Sequence, residues 1–511
     1  MSTNNSNISN FKRTNSQRNY EKAIARGAFV NLVGLSAKLI NPLALLLIPW
    51  LFGTEVLGIY LLALFLSDIV SNVVTGGLVD ATTLFASRHI EEEKQNANEN
   101  DTLNHVMANA FAMSVGISLV LAPLMFFGAA IFVATFYSEY PELVLPIRLL
   151  AIGLPALALL RIAIAGTKAY MRMEYDAAIS GFLQPLSFLS LVLIVKFVGG
   201  SVNELILSQV ITYWLCAVLA LWALSRHFNL SRLMVGLRKL RFDRDIISFA
   251  IPHSINMSLS RYVMRLDVIM LGVYGTSAQM LGLYGIASLI VNEMRQARMI
   301  FASAFAPVTA RYHAANQREE LELLFNRVSR WTTSIIVPIS FVIVVLRDDL
   351  LRIVNASYTG DTRFMALLLI VPLLGCAFGL AGNCIIYTGH SRWNLFNNVA
   401  AAAFATGFNI FFIPHWKLMG AAISAVLAAL ITNTLQLCEL AKLEGVYLRL
   451  RHLYHPYLAF AIAGAVLIAF WDPAQLPFFW LRAIVAVAFF ATTIGIMVAT
   501  GHPELKPWFA P

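Results

Sequence analysis

The sequence predicts an all-α integral membrane protein with about fourteen transmembrane helices. Three observations predict it. Of the 511 residues, 59% are hydrophobic and only 13% charged, whereas an ordinary soluble domain is about 45–50% apolar and about 25% charged. The apolar residues gather in long continuous runs, not in the alternating stretches of about ten residues that a membrane β-barrel needs. The basic residues cluster on every second connection between the runs, which is the asymmetry that membrane insertion imposes.

Residues 1–27 are polar and rich in Asn and Ser, with Lys12, Arg13, Arg18, Lys22 and Arg26. They are expected to form a disordered cytoplasmic tail without a cleavable signal peptide. Six apolar segments follow at roughly 28–50, 56–80, 105–133, 145–166, 177–198 and 203–225. A basic linker, 226–245, carries Arg226, Arg232, Arg238, Lys239, Arg241 and Arg244. Six further segments lie at roughly 246–273, 281–305, 329–347, 363–388, 394–414 and 418–441. Two more, near 456–471 and 478–500, belong to a terminal piece, 442–511. The tail, the even-numbered connections and the C-terminus hold about 24 of the Lys and Arg, against about five on the odd-numbered connections. Both termini are therefore expected on the cytoplasmic side.

The two sets of six segments look related. FGTEVLGIY at 52–60 recurs as YGTSAQMLGLY at 274–284, and ASRHIEEEKQ at 86–95 as TARYHAANQR at 309–318. RLLAIGLP before AYMRM pairs in the same way with MALLLIVP before YTGHSRW, placing Arg172 opposite Arg392. An even number of helices per repeat gives parallel repeats about an axis along the membrane normal. An N-lobe at 28–225 and a C-lobe at 246–441 are thus expected, with the last two helices outside the repeat.

The charges left inside the apolar runs are the candidates for function, because an Arg or Lys at mid-bilayer costs at least about 2.5–3.5 kcal/mol. In segment seven, Ser254, Ser258, Arg261 and Arg265 share one helix face. They form either a cationic stripe on a cavity or arginines neutralised by carboxylates of neighbouring helices. Asp267 lies about 120° around the helix from Arg261 and is poorly placed to pair with it. Segment eight carries Asn292, Arg295 and Gln296 on one face with Glu293 beside it, and the repeat sets Asp68 opposite Asn292 and Asn72 opposite Gln296. Lys38 in segment one aligns within one position of Arg261, and Arg161 adds a cation in segment four. Lys196, Arg347 and Arg482 lie near segment ends, where long basic side chains snorkel to the interface.

Other chemistries find little support. The net charge of +9 is spread over many short loops, whereas a nucleic-acid reader gathers basic residues on one face. Cys216, Cys376, Cys384 and Cys438 all fall in apolar runs without metal-ligand spacing, and His452 and His455 have no further ligand nearby. No catalytic set, metal site or cofactor is assigned, and no Gly-rich Lys-Ser/Thr phosphate loop is present.

DVIMLGVYGTSAQMLGLYGIAS at 267–288, FGTEVLGIY, and GLVDATTLFASRHI at 77–90 together resemble polysaccharide flippases of the multidrug/oligosaccharidyl-lipid/polysaccharide (MOP) superfamily. The resemblance covers nearly the whole chain. It implies a MATE-like fold, a bacterial inner membrane, and translocation of a polyprenyl-pyrophosphate-linked oligosaccharide to the outer face by alternating access. Arg261, Arg265, Lys38, Arg161, Arg295, Asn292, Gln296, Asp68, Asn72, Ser254 and Ser258 would then line the cavity. Asp267 and Glu293 would be ion-coupling or structural acids. Such a protein is no enzyme; a polysaccharide polymerase and export machinery are its expected partners, besides lipid bilayer and substrate. The alternatives are a MATE-like exporter of drugs or metabolites, and a membrane-embedded glycan polymerase or ligase.

Overall fold

The computed structural model describes residues 40–95, 100–228, 243–354 and 361–449, with scattered positions beyond. Among the described residues every regular element is helical. The first twelve predicted segments each have a counterpart. These are α1 (Ile40–Phe52), α2 (Thr54–Gln95), α3 (Asn100–Phe136), α4 (Val144–Ala169), α5 (Glu174–Val198) and α6 (Val202–Ser225), then α7 (Arg244–Val273), α8 (Ala278–Ala314) and α9 (Arg318–Val354). Helix α10 is broken into Arg363–Ala377 and Ala381–Tyr387, bent by 40° at the break. Helices α11 (391–416) and α12 (418–444) meet at Lys417, whose φ of 45° and ψ of −120° interrupt the helical path. The tail 1–27, Lys38, most of the basic linker, and most of the last two predicted helices lie outside the described residues.

Several helices are longer than their apolar runs. Helix α2 has 42 residues, roughly 63 Å at 1.5 Å per residue, twice a hydrocarbon core of about 30 Å. Hydropathy ends where the chain meets water, but the helical hydrogen-bond ladder does not, so α2, α8 and α9 carry on through polar residues such as Glu91 and Glu322.

The chain divides into two compact units. The described part of unit 1 comprises residues up to Ile48, Leu66–Ala134 and Pro141–Ser258. Its core is rich in alanine: Ala81, Ala108, Ala156, Ala163, Ala217 and Ala220 pack with Met107, Leu160 and Leu224. With no hydrophobic driving force between helices in lipid, small residues serve by letting backbones approach. Gly166 of α4 is such a place, where a Cβ would lie 2.7 Å from Met107 of α3. Other large apolar side chains, Leu124, Phe127 and Ile131 of α3 among them, are exposed, as suits a helix face toward lipid. The start of α6 is closed by a capping box, Ser201 with Glu204.

Unit 2 comprises Pro49–Phe65, Thr135–Tyr140 and the described residues from Leu259 onward. Phe325 and Val328 of α9, Leu380, Cys384 and Ile385 around the α10 break, and Leu440 of α12 form one core. The break itself is at Gly379, where φ is +68° and a Cβ would lie 2.0 Å from Ser329 Oγ.

Unit 2 also contains the strongest internal sign of the repeat. Gly53 and Gly275, the turn glycines of the recurring motif, both have positive φ, +94° and +63°, a conformation that costs glycine nothing. Further along the same motif, Gly58 of α2 and Gly282 of α8 face each other. A Cβ on Gly58 would lie 2.0 Å from the carbonyl oxygen of Ala278, and one on Gly282 would lie 2.2 Å from that of Thr54. Each glycine meets the residue one turn before its counterpart. Such reciprocity is what a two-fold relation produces. Tyr60 and Tyr284, two residues further on in each copy, are both fully buried.

Candidate functional site

The polar residues nominated within the membrane fall into both units. In unit 1, Arg161 of α4 reaches α2. Its Nη1 donates to Thr75 Oγ1 at 2.8 Å, and its Nη2 lies 3.8 Å from Asp68 Oδ1. Asn72 Nδ2 donates to Asp68 Oδ1 at 3.2 Å and to the Asp68 carbonyl oxygen at 2.7 Å. Arg161, Asp68, Asn72 and Thr75 therefore form one polar group, held by an ion pair between Arg161 and Asp68 and by hydrogen bonds from Arg161 to Thr75 and from Asn72 to Asp68. From Gly58 to Asp68 is ten residues, roughly 15 Å along α2, about half a hydrocarbon core. A charge at that depth needs this kind of compensation.

Helix α7 runs through both units. Ser254, in unit 1, accepts the Gly77 N–H at 2.9 Å. The Ser258 hydroxyl oxygen is buried and has no hydrogen-bond partner among the described residues. In unit 2, the Arg265 guanidinium lies over the Phe65 ring at 4.1 Å, a cation–π contact. Arg261, one turn earlier on the same face, is half-buried and makes no hydrogen bond or ion pair among the described residues. Among the nominated cations that are described, it is the one for which no hydrogen bond, ion pair or ring contact with a described residue is found.

Helix α8 supplies a second polar group to unit 2. Arg295 Nη1 donates to Asn292 Oδ1 at 3.1 Å, and Asn292 Nδ2 is buried with no hydrogen-bond partner among the described residues. Asp267 accepts a hydrogen bond at 3.1 Å from the hydroxyl of Tyr284, and Arg295 and Asn409 are its other polar neighbours. Asp267 thus does find an arginine, but on the next helix. Glu293 is exposed. The side chain of Gln296, like Lys38, lies outside the described residues.

Sequence reasoning missed three things. Asn409 is the one amide in the apolar run Phe408–Phe412, a signal that only a search for isolated polar residues would catch. Glu439 and Asn397, of α12 and α11, are buried together, with Asn397 Nδ2 donating to the carboxylate at 2.6 Å. A pocket of about 110 Å³ is lined by Tyr312, His313, Arg318, His390 and Glu444. Buried Glu444 stands there between two imidazoles, 2.9 Å from His313 Nδ1 and 3.4 Å from His390 Nδ1. The described residues contain no group of three or more His, Cys, Asp and Glu side chains able to hold a metal ion.

A family model described as polysaccharide biosynthesis protein matches residues 93–358, just over half of the chain. The chain belongs to this family. No curated protein matches it in sequence. Among solved structures it is similar to the lipid II flippase MurJ in an inward closed conformation, at 10% identity and a TM-score of 0.70, over 93% of this chain and 99% of that one. A MATE-family multidrug resistance transporter of the MOP superfamily, inward-facing, matches at 14% identity and a TM-score of 0.67, over 81% of this chain and 99% of that one. A MOP superfamily transporter from Pyrococcus furiosus, described as having a binding pocket of reverse polarity, matches at 16% identity and a TM-score of 0.53, over 81% of this chain and 94% of that one. The fold is that of the MOP-superfamily flippases and transporters, and this polysaccharide-biosynthesis family member is a multi-pass membrane protein.

Proposed function

We propose that the chain is a flippase for a polyprenyl-pyrophosphate-linked oligosaccharide, moving it from the cytoplasmic to the outer face of a bacterial inner membrane. The observation that carries this reading is Arg261: a half-buried guanidinium within a spanning helix, with no hydrogen bond or ion pair among the described residues. An arginine in that setting costs several kcal/mol, so its retention implies an anionic partner that comes and goes. A pyrophosphate offers that charge, and guanidinium binds phosphate oxygens through paired donors. Arg265, one turn on, and the Asn292–Arg295 pair supply further donors, and Asn292 Nδ2, without a hydrogen-bond partner among the described residues, suits a glycan hydroxyl. The relative named as a lipid II flippase moves a substrate of the same general kind, a headgroup on a lipid.

In this reading residues 28–225 and 246–441 act as two lobes that rock to expose the site alternately, both termini are cytoplasmic, and the chain performs no catalysis. Asp267, tied to Tyr284 and near Arg295, holds the α7–α8 geometry and is the leading candidate for an ion-coupling acid. A MATE-like drug exporter, which the fold equally accommodates, would favour acidic and aromatic residues for cations.

The test is accumulation of lipid-linked repeat units on the cytoplasmic face. Deletion of the protein should cause it, and Arg261→Gln with Arg265→Gln should reproduce it while membrane insertion stays normal. Intact glycan export with heightened drug sensitivity after deletion would refute the flippase. Full activity of the double variant would refute the cationic site.

A further inference from the structure

Helix α2 is gripped at two heights, each time at a glycine. One grip is the Gly58–Gly282 crossing. The other is Gly77, where a Cβ would lie 2.0 Å from the Ala250 carbonyl oxygen and 2.7 Å from the Ser254 nitrogen of α7. Nineteen residues separate the two glycines, roughly 28 Å along the helix, close to the thickness of a hydrocarbon core. The polar group Asp68, Asn72 and Thr75 lies between them.

The second grip carries polar fastenings. Gly77 N–H donates to Ser254 Oγ at 2.9 Å, and His253 Nε2 stands 2.7 Å from Asp80 Oδ2. Phe249 stacks on His253 at 5.6 Å and meets Phe85 edge-on at 6.1 Å, and Arg88 lies over Phe85 at 5.8 Å. From α3, Asn109 approaches the residue before α7, its Oδ1 accepting from the Asp243 N–H at 3.4 Å. The imidazole and carboxylate side chains are 33% and 53% exposed, so they do not fill a core. Yet α7 opens the second repeat, and its first half, with Ile246 and Ala250, is buried in the core of unit 1 beside first-repeat residues.

We propose that Asp80 and His253, backed by the Gly77–Ser254 contact, form a latch that closes the transport pathway on the side of the basic connections. The inference rests on the flippase reading, since only alternating access requires the first half of α7 to leave α2. A glycine crossing separates cheaply because little interdigitates there. The hydrogen-bonded Asp80–His253 pair gives the closed form its bias. A hydrogen-bonded pair at a half-exposed site contributes enough to shift a two-state ratio roughly threefold to tenfold, a bias that substrate loading can overcome.

The experiment uses the full chain in proteoliposomes with Cys438→Ser and cysteines replacing Phe85 and Phe249, so that disulfide yield reports closure. Asp80→Asn or His253→Gln should lower the yield roughly threefold to tenfold. His253→Arg should preserve it, because a guanidinium still meets Asp80, and His253→Arg with Asp80→Asn should lose it. Unchanged yield in both single neutral variants overturns the latch. Should a neutral variant fail to insert, the comparison of His253→Arg with and without Asp80→Asn decides instead, equal yields overturning the proposal. Flipping of a lipid-linked oligosaccharide in the same vesicles separates the two ideas. Lost closure with wild-type flipping overturns the gating role, whereas lost closure in a chain that never flips supports the latch and removes the flippase reading.

Discussion

Replacing Gly58 or Gly282 with alanine should force α2 and α8 apart. The new Cβ would stand 2.0 Å from the Ala278 oxygen in the first case and 2.2 Å from the Thr54 oxygen in the second. Carbon and carbonyl oxygen in close contact stand about 3.3–3.6 Å apart, so the backbones must part by on the order of 1 Å. Neither obstacle is a side-chain end that can swing away, and the flanking Leu57, Leu61, Leu281 and Tyr284 are fully buried. Overpacking of this kind costs about 1–3 kcal/mol. The double substitution should cost less than the sum, because the first alanine already opens the crossing that the second needs. Gly116→Ala and Gly128→Ala on α3 are the controls: nothing lies within 4 Å of either Cβ, and alanine is the better helix former by about 1 kcal/mol. The measurement is the thermal midpoint of the purified chain by size-exclusion chromatography after heating. If Gly58→Ala and Gly282→Ala melt with the parent, or their losses simply add, the close reciprocal crossing is wrong.

Asp267→Ala should destabilise the chain by about 1–3 kcal/mol, the cost of leaving the buried Tyr284 hydroxyl without its acceptor, and Tyr284→Phe by about 1 kcal/mol. A double-mutant cycle on the thermal midpoint checks whether the two losses overlap, as a shared bond requires. Ser201→Ala, which removes the capping box of α6, should cost about 0.5–2 kcal/mol, read from the same midpoint and from earlier proteolysis near Gly199. Arg363 beside Asp361 holds that carboxyl below its ordinary value through a side-chain hydrogen bond. A depressed carboxyl contributes stability above its unfolded value, about 3.9, and loses it as pH falls through the folded one. The midpoint difference between parent and Asp361→Asn should therefore be small at neutral pH and vanish in acid; a difference that widens on acidification contradicts the pairing.

Much of the architecture was legible because membrane insertion writes it into local composition. The first twelve apolar segments each became a helix, and the loop between segments eleven and twelve shrank to a kink at Lys417. The repeat was legible too, in FGTEVLGIY and YGTSAQMLGLY, and the structure adds why the glycines recur: one turns the chain and the other lets the two copies touch. The lengths of α2, α8 and α9 were not legible, since hydropathy falls silent once a helix leaves the bilayer. Nor was the α10 break at Gly379, which depends on Ser329 of another helix.

For the site, helix spacing groups residues within a helix but has no access to partners between helices. Arg161 and Arg261 look alike in sequence, each a cation well inside an apolar run. Tertiary packing makes them different: Asp68 and Thr75 occupy Arg161, and among the described residues nothing occupies Arg261. Sequence by itself determined the solvent, the helices and the repeat, because those follow from residues averaged over one or two turns. Only the tertiary structure decided which charges find partners, because that depends on side chains of different helices, such as Arg161 and Asp68, meeting in space.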